Sequence, residues 1–311
     1  MHVNEDPYMP NLTEGKARLH AGLLVGVTVL LSSCSAPGIL NGLSGLFPGD
    51  NGARRVVSGA AFGADRRQKL DVWAPRGADR KARLPVVIFF YGGGWVAGSR
   101  GDYGFAGAAY AGRGFVTIIP DYRLVPNVRF PAFVEDGALA VRWARDHVAE
   151  YGGDPERISL AGHSAGAYNA AMLSLDEHFL REAGVDPKIV RAAALLAGPY
   201  DFYPFTDRRA RDALGQWPRP GETQPIRFAR TDAPPLWLAA GSADQVVMPG
   251  NSKRLAERLT DLGAPVELRV YAGATHNGLA KSLSRPFRRT TSVLSDSAVF
   301  LEANSRPDRT N

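Results

Sequence analysis

The chain has 311 residues, of which 45% are hydrophobic, 22% charged and 9% aromatic, with a formal net charge of +6. That balance excludes a disordered tail protein, a collagen-like repeat and a multi-span membrane protein, and leaves room for one large α/β domain or two small ones. The one cysteine, Cys34, excludes an internal disulfide, and no Cys/His spacing suggests a zinc site.

The first 33 residues read as an address, not as part of the fold. Lys16 and Arg18 precede an apolar run from Ala21 to Leu31, which is 11 residues long. Such a run is too short to span a bilayer as a mature helix but suits the apolar region of an export signal. It ends in Leu31-Ser32-Ser33-Cys34, which resembles a bacterial lipobox, and Met9 offers an alternative start. The resemblance implies cleavage before Cys34, acylation of that cysteine and a membrane anchor of two or three chains, enough for stable attachment. Residues 34–53, rich in Gly, Pro and Ser, then read as a tether. The expected location is the bacterial envelope. Ser35 stands where some Gram-negative sorting systems place an inner-membrane Asp, which favours the outer membrane.

Between Arg54 and Arg83, nine Lys/Arg face only Asp65, Asp71 and Asp79. Without aromatic interleaving or a nucleic-acid motif, this reads as a solvated basic face, and no nucleic-acid partner is expected. Arg55–Ala61 and Lys69–Trp73 alternate like half-buried strands and predict an antiparallel edge. Continuous apolar runs follow at Val86–Phe90, Phe115–Ile119, Ile158–Ala161, Ala192–Ala197, Leu236–Ala240 and Val266–Tyr271, as for strands covered on both faces. Helical patterns lie between or after them at about 103–113, 131–150, 165–178, 250–262 and 288–303. The alternation predicts a single α/β domain over 54–303, with a mostly parallel sheet and helices on both faces, and a disordered tail over 304–311.

Chemistry concentrates at the ends of those strands. Gly162-His163-Ser164-Ala165-Gly166 follows one strand and opens a helix, the context in which a serine is held on a sharp turn as a nucleophile. Tyr91-Gly92-Gly93-Gly94-Trp95 ends another strand, where glycines can aim backbone N–H groups into a cleft. Gly93 and Gly94, with the N–H of Ala165, are the expected oxyanion donors. Serine needs a base, and of six histidines only His276, in Gly273-Ala-Thr-His-Asn-Gly278, lies just past the last strand. Asp244, following Leu236–Ala240, is the expected orienting acid, with Asp201 as its competitor. Trp95 and His163 are expected to line a modest substrate pocket.

These motifs, in the chain order Ser164, Asp244, His276, resemble the α/β-hydrolase superfamily, near its hormone-sensitive-lipase-like and feruloyl-esterase-like carboxylesterases. The resemblance runs from about Arg54 to Leu301. It includes Pro120-Asp121-Tyr122-Arg123-Leu124, Phe130-Pro131-Ala132 through Glu135-Asp136, and Tyr151-Gly152-Gly153-Asp154-Pro155. It implies a serine esterase that needs no metal or organic cofactor, with Asp121 and Arg123 bracing the loop under the oxyanion hole. Two departures stand out. Tyr91 occupies the place of a histidine, so the hydrogen bonds under that loop must be rearranged. The only room for a lid is about Phe202 to Asp232, which favours short-chain or aromatic esters. An amidase, aryl-formamidase or peptidase shares the same triad, and a lipid-anchored binding protein with a dead pocket is the reading from another class. Oligomeric state is not legible.

Overall fold

The computed structural model describes Asp50 and residues 52–305. The leader, Cys34, most of the tether and the last six residues lie outside them. No helix among the described residues is long and apolar enough to cross a membrane.

Eight strands form one sheet in the order β1-β2-β4-β3-β5-β6-β7-β8. β1 (Ala53–Ala61) and β2 (Lys69–Pro75) make the antiparallel edge, and β2 also runs antiparallel to β4 (Val116–Pro120). The rest is parallel: β3 (Leu84–Phe90), β5 (Gly153–His163), β6 (Val190–Leu196), β7 (Leu236–Gly241) and β8 (Val266–Tyr271). β4 and β7 are buried throughout, whereas β8 exposes alternate residues as the terminal strand. Fully buried runs are what a sheet covered on both faces demands.

The helices are α1 (Gly104–Ala111), α2 (Ala132–His147), α3 (Ala165–Leu175), α4 (His178–Glu182), α5 (Arg208–Leu214), α6 (Gly250–Asp261), α7 (His276–Lys281) and α8 (Val293–Asn304). The connection through α1 moves from β3 to β4, and those through α2, α3 and α6 move the other way across the sheet. Right-handed crossovers therefore put α1 on one face and α2, α3 and α6 on the other. α8 packs beside α1, and α2 beside α3. The strand order reverses around β3, which opens a crevice at the carboxyl ends of β3 and β5, the place where this architecture builds its sites.

Three boundaries differ from the sequence expectation. The body begins before residue 54: Asp50 pairs with Arg288 at 2.9 Å, and Ala53 opens β1. It also ends later than expected, because Asn304 closes α8 and the Ser305 hydroxyl accepts from Arg157. The helix expected over 165–178 is two helices. Asp176 is extended at their junction, and its carboxylate accepts the His178 N–H, an Asx-type bond that competes with helix continuation. The segment from Phe202 to Asp232, where a lid had room, carries α5 and two 3₁₀ turns, Pro220–Thr223 and Pro225–Phe228.

Candidate active site

The chain leaves β5 at His163, turns at Ser164 and enters α3 at Ala165. Ser164 has φ 56° and ψ −123°, a backbone conformation that an L-residue holds only when its surroundings impose it. Close packing supplies the imposition. A side chain on Gly166 would place its Cβ 2.1 Å from the carbonyl oxygen of Phe90, so α3 can begin against β3 only with glycine there. The turn raises the Ser164 hydroxyl at the strand end, and the amide of Ser164 is tied to the Leu196 carbonyl at 2.9 Å.

Two other strands deliver its partners. His276, the first residue of α7, places Nε2 2.9 Å from Ser164 Oγ. Its Nδ1 lies 2.8 Å from Asp244 Oδ2. A carboxylate only accepts, so Nδ1 carries the proton, and the Nε2 lone pair faces the serine hydroxyl. The amides of Val246 and Val247 hold the other carboxylate oxygen at 2.8 and 2.9 Å. Burial pushes the Asp244 carboxyl up, but its hydrogen bond to His276 and these two amides prevail and hold it below the usual carboxylate range. Thr275 caps α7 by accepting the Gly278 amide, which fixes where His276 enters. The competitor Asp201 lies elsewhere: it pairs with Arg254, and its amide donates to Asn251.

The turn after β3 is built for backbone donors. Gly93 has φ 138°, and a Cβ there would stand 2.0 Å from the Ala97 carbonyl. The Gly93 carbonyl accepts from Val96 and Ala97, which leaves the turn closed on itself. The amides of Gly93, Gly94 and Ala165 donate to no acceptor among the described residues. Gly92 sits directly against Ser164, since a Cβ on it would come within 3.1 Å of the serine Cβ.

Beneath that turn, the hydrogen bonds are rearranged around the Tyr91 phenol, as its place in the motif demanded. Its hydroxyl accepts from Arg67 at 2.9 Å, its ring stacks on Tyr122 with centroids 4.6 Å apart, and its carbonyl accepts the Tyr122 hydroxyl at 2.9 Å. Arg67 also donates to the carbonyls of Tyr122 and Gly98. Asp121 accepts the Arg100 amide and guanidinium, and Arg100 reaches on to Asp71. Arg123 pairs with the fully buried Asp136, which Gln68 also contacts, and so joins this loop to α2.

Trp95 and His163 are corrected. The expectation that they line an open pocket fails because both side chains are packed away, at 3% and 2% exposure. The Trp95 indole donates to Asn169, stacks on Phe133 and Phe202, and meets the Tyr168 ring edge-on. Both ring nitrogens of His163 are engaged inside the protein. A cavity of about 250 Å³ lined by Phe130, Phe179, Trp217 and Phe228 does exist, but it opens beside Asp176, at the far end of α3 from Ser164.

Several contributors gave no pattern in the sequence. Arg67 and Arg100 lie in segments without periodicity or motif, Tyr103 stands only at the start of the helical pattern expected over 103–113, and the partners of all three are distant in the chain. Arg209, on α5, lays its aliphatic stem against Gly94 and has an exposed head. The one available hint was Tyr91 itself, whose substitution for histidine demanded a new partner.

A serine on a strand-to-helix turn, with an acid after β7 and an imidazole after β8 of this sheet, is the plan of the α/β-hydrolase fold. Known proteins agree. The structure is similar to a truncated carbohydrate esterase from gut microbiota (TM-score 0.71, 20% identity, covering 83% of this chain and 99% of that one). It is also similar to Thermogutta terrifontis esterase 2 (TM-score 0.66, 26% identity, 84% and 98%). The sequence profile of the BD-FAE family matches residues 70–259, and the chain belongs to that family. Among curated relatives it is similar to esterase LipC of Mycobacterium tuberculosis, at 34% identity over 66% of this chain and 54% of that protein. A probable isoprenylcysteine alpha-carbonyl methylesterase of Oryza sativa is 29% identical over 82% of this chain and 64% of its own length. The chain thus spans between about half and two thirds of the length of these two relatives.

Proposed function

We propose that the protein is a serine carboxylesterase that hydrolyses short-chain or aromatic carboxylic esters through an acyl-enzyme. The observation that carries this reading is the unbroken line Ser164 Oγ, His276, Asp244, with hydrogen bonds of 2.9 and 2.8 Å. The esterase names among its relatives support the bond cleaved.

In the first half-reaction His276 Nε2 takes the Ser164 proton as the oxygen attacks the ester carbonyl. Asp244, held ionised, stabilises the imidazolium. The amides of Gly93, Gly94 and Ala165 receive the negative charge on the carbonyl oxygen, a stabilisation worth on the order of 3 kcal/mol per donor. His276 then gives its proton to the leaving alkoxide oxygen, and the alcohol departs. Water repeats the sequence against the acyl-enzyme, losing its proton to the same nitrogen, and Ser164 recovers its own. The shortness of the segment from Phe202 to Asp232, the only room for a lid, supports small or flat acids.

Replacing Ser164 by Ala is expected to lower p-nitrophenyl acetate hydrolysis by roughly 10⁵-fold or more while circular dichroism stays unchanged. A fluorophosphonate probe is expected to label the parent protein and not this variant. Activity retained in Ser164→Ala would overturn the reading.

The leader supports an exported enzyme tethered to the envelope through lipid on Cys34. Cys34→Ser is expected to abolish palmitate incorporation and release the protein from the membrane fraction; unchanged incorporation would refute the anchor.

A further inference from the structure

His163 stands beside the nucleophile, and each polar atom of its ring is committed to a different segment of the site. Nε2 lies 3.1 Å from the backbone carbonyl oxygen of His276. Nδ1 lies 3.1 Å from the Tyr103 hydroxyl. A carbonyl can only accept, so the ring proton is on Nε2, and Nδ1 accepts from Tyr103. Gly92 packs directly on that ring, since a Cβ on it would stand 2.9 Å from His163 Nδ1, and Gly92 leads into the turn of Gly93 and Gly94. One contiguous path therefore runs from the oxyanion turn through His163 to the backbone of His276, with Tyr103 holding the ring.

Sheet topology gives the path a purpose. The oxyanion turn follows β3 and His276 follows β8, with β5, β6 and β7 between them. β8 is the half-exposed terminal strand, and the loop after it is tied to the end of β7, not to β3. The ties are the Ala243 amide on the Ala274 carbonyl at 3.0 Å and the Gly273 amide on the Ser242 hydroxyl at 2.8 Å. We propose that His163 is a positioning residue: it clamps the backbone of His276 to the oxyanion turn, so that base, nucleophile and donors keep one relative geometry. This rests on the serine-esterase reading above.

The clamp works only with an uncharged ring. The centroids of His163 and His276 are 4.8 Å apart, and an imidazolium at 163 would oppose the one that forms at 276 during attack. The groups facing His163 are Tyr103, His276 and, beyond His276, Asp244. Burial, with the neighbouring His276 adding to it, keeps the His163 ring neutral at ordinary pH.

Two amide variants separate the halves of the clamp. In His163→Gln the side-chain nitrogen can occupy the Nε2 position and still donate to the His276 carbonyl. In His163→Asn the side-chain oxygen can occupy the Nδ1 position and still accept from Tyr103, but the bond to His276 is lost. His163→Gln is expected to keep kcat within a few-fold, whereas His163→Asn loses about 100-fold in kcat with KM little changed, the cost of a base displaced by about an ångström. The rate of fluorophosphonate labelling of Ser164 should fall in the same order. If both variants fold and show equal kcat, or if both match the parent, the clamp is refuted. If neither folds, the parent decides through ¹⁵N NMR. A neutral His163 protonated on Nε2 and silent between pH 5 and 8 is expected, and an Nδ1-protonated or titrating ring refutes the clamp. Absence of labelling and hydrolysis in the parent would instead sink the esterase reading.

Discussion

The crevice at the ends of β3 and β5 and the short lid over 202–232 use the same residue types in opposite ways. In the crevice, charged groups are buried and multiply bonded. Asp136 is fully buried between Arg123 and Gln68, Asp71 is 2% exposed between Arg55 and Arg100, and Asp244 is 2% exposed against His276. In the lid, Arg219 pairs with Glu222 and Arg208 with Asp212, with arginine side chains 73% and 87% exposed. Removing one member of a buried pair strands its partner without water, while an exposed pair is rehydrated at once. The difference teaches where precision is held: geometry is enforced around the site and left loose in the segment over 202–232.

Asp244→Asn should break the comparison most severely. The carboxamide offers Nδ1 a donor as readily as an acceptor, so His276 is free to adopt the wrong tautomer, and kcat is expected to drop by about 10⁴-fold with the fold intact. Stopped-assay kinetics with p-nitrophenyl acetate measure it, and a loss below tenfold would show that the acid is not needed to orient the base.

A middle-sized effect concerns pH and stability. Burial first, and His276 second, lower the pKa of His163 from about 6.5 to about 3. Between those values the unfolded chain binds a proton that the folded protein refuses. Stability therefore falls as pH drops through this window, by at most about 1.4 kcal/mol per pH unit from this group. Urea midpoints measured from pH 7 to pH 4 should decline less steeply in His163→Gln than in the parent. Parallel declines would mean that the ring is solvated in the folded state.

The smallest effect belongs to the lid. Arg219→Ala is expected to change stability by no more than about 0.5 kcal/mol. Its kcat on p-nitrophenyl acetate should stay within twofold. A larger kinetic effect would show that the lid shares the rigidity of the crevice and would erase the contrast.

The sequence carried most of the fold and the spine of the site. Val86–Phe90 and Leu236–Ala240 had to be strands covered on both faces, because nothing else buries such runs at that length. The glycines around Ser164 announced a crowded turn, and chain order singled out His276 and Asp244 as its partners. Local competition hid the break at Asp176, where a side-chain acceptor substitutes for a helical one. The pocket expectation for Trp95 and His163 went astray for a related reason. Adjacency in sequence to Gly94 and Ser164 says nothing about which way a ring turns, and here both rings turn into the protein.

What the amino-acid order settled alone was periodicity, turn chemistry and the succession of reactive groups, since each of these is a property of neighbours along the chain. What only the tertiary structure decided was which distant groups share an enclosed space. That Arg67 serves the Tyr91 hydroxyl, and that His163 joins Tyr103 to the carbonyl of His276, depends on segments 24, 60 and 113 residues apart meeting in a largely enclosed place. There a polar atom is best satisfied by a partner in the protein, and the fold, not the local sequence, determines which one is within reach.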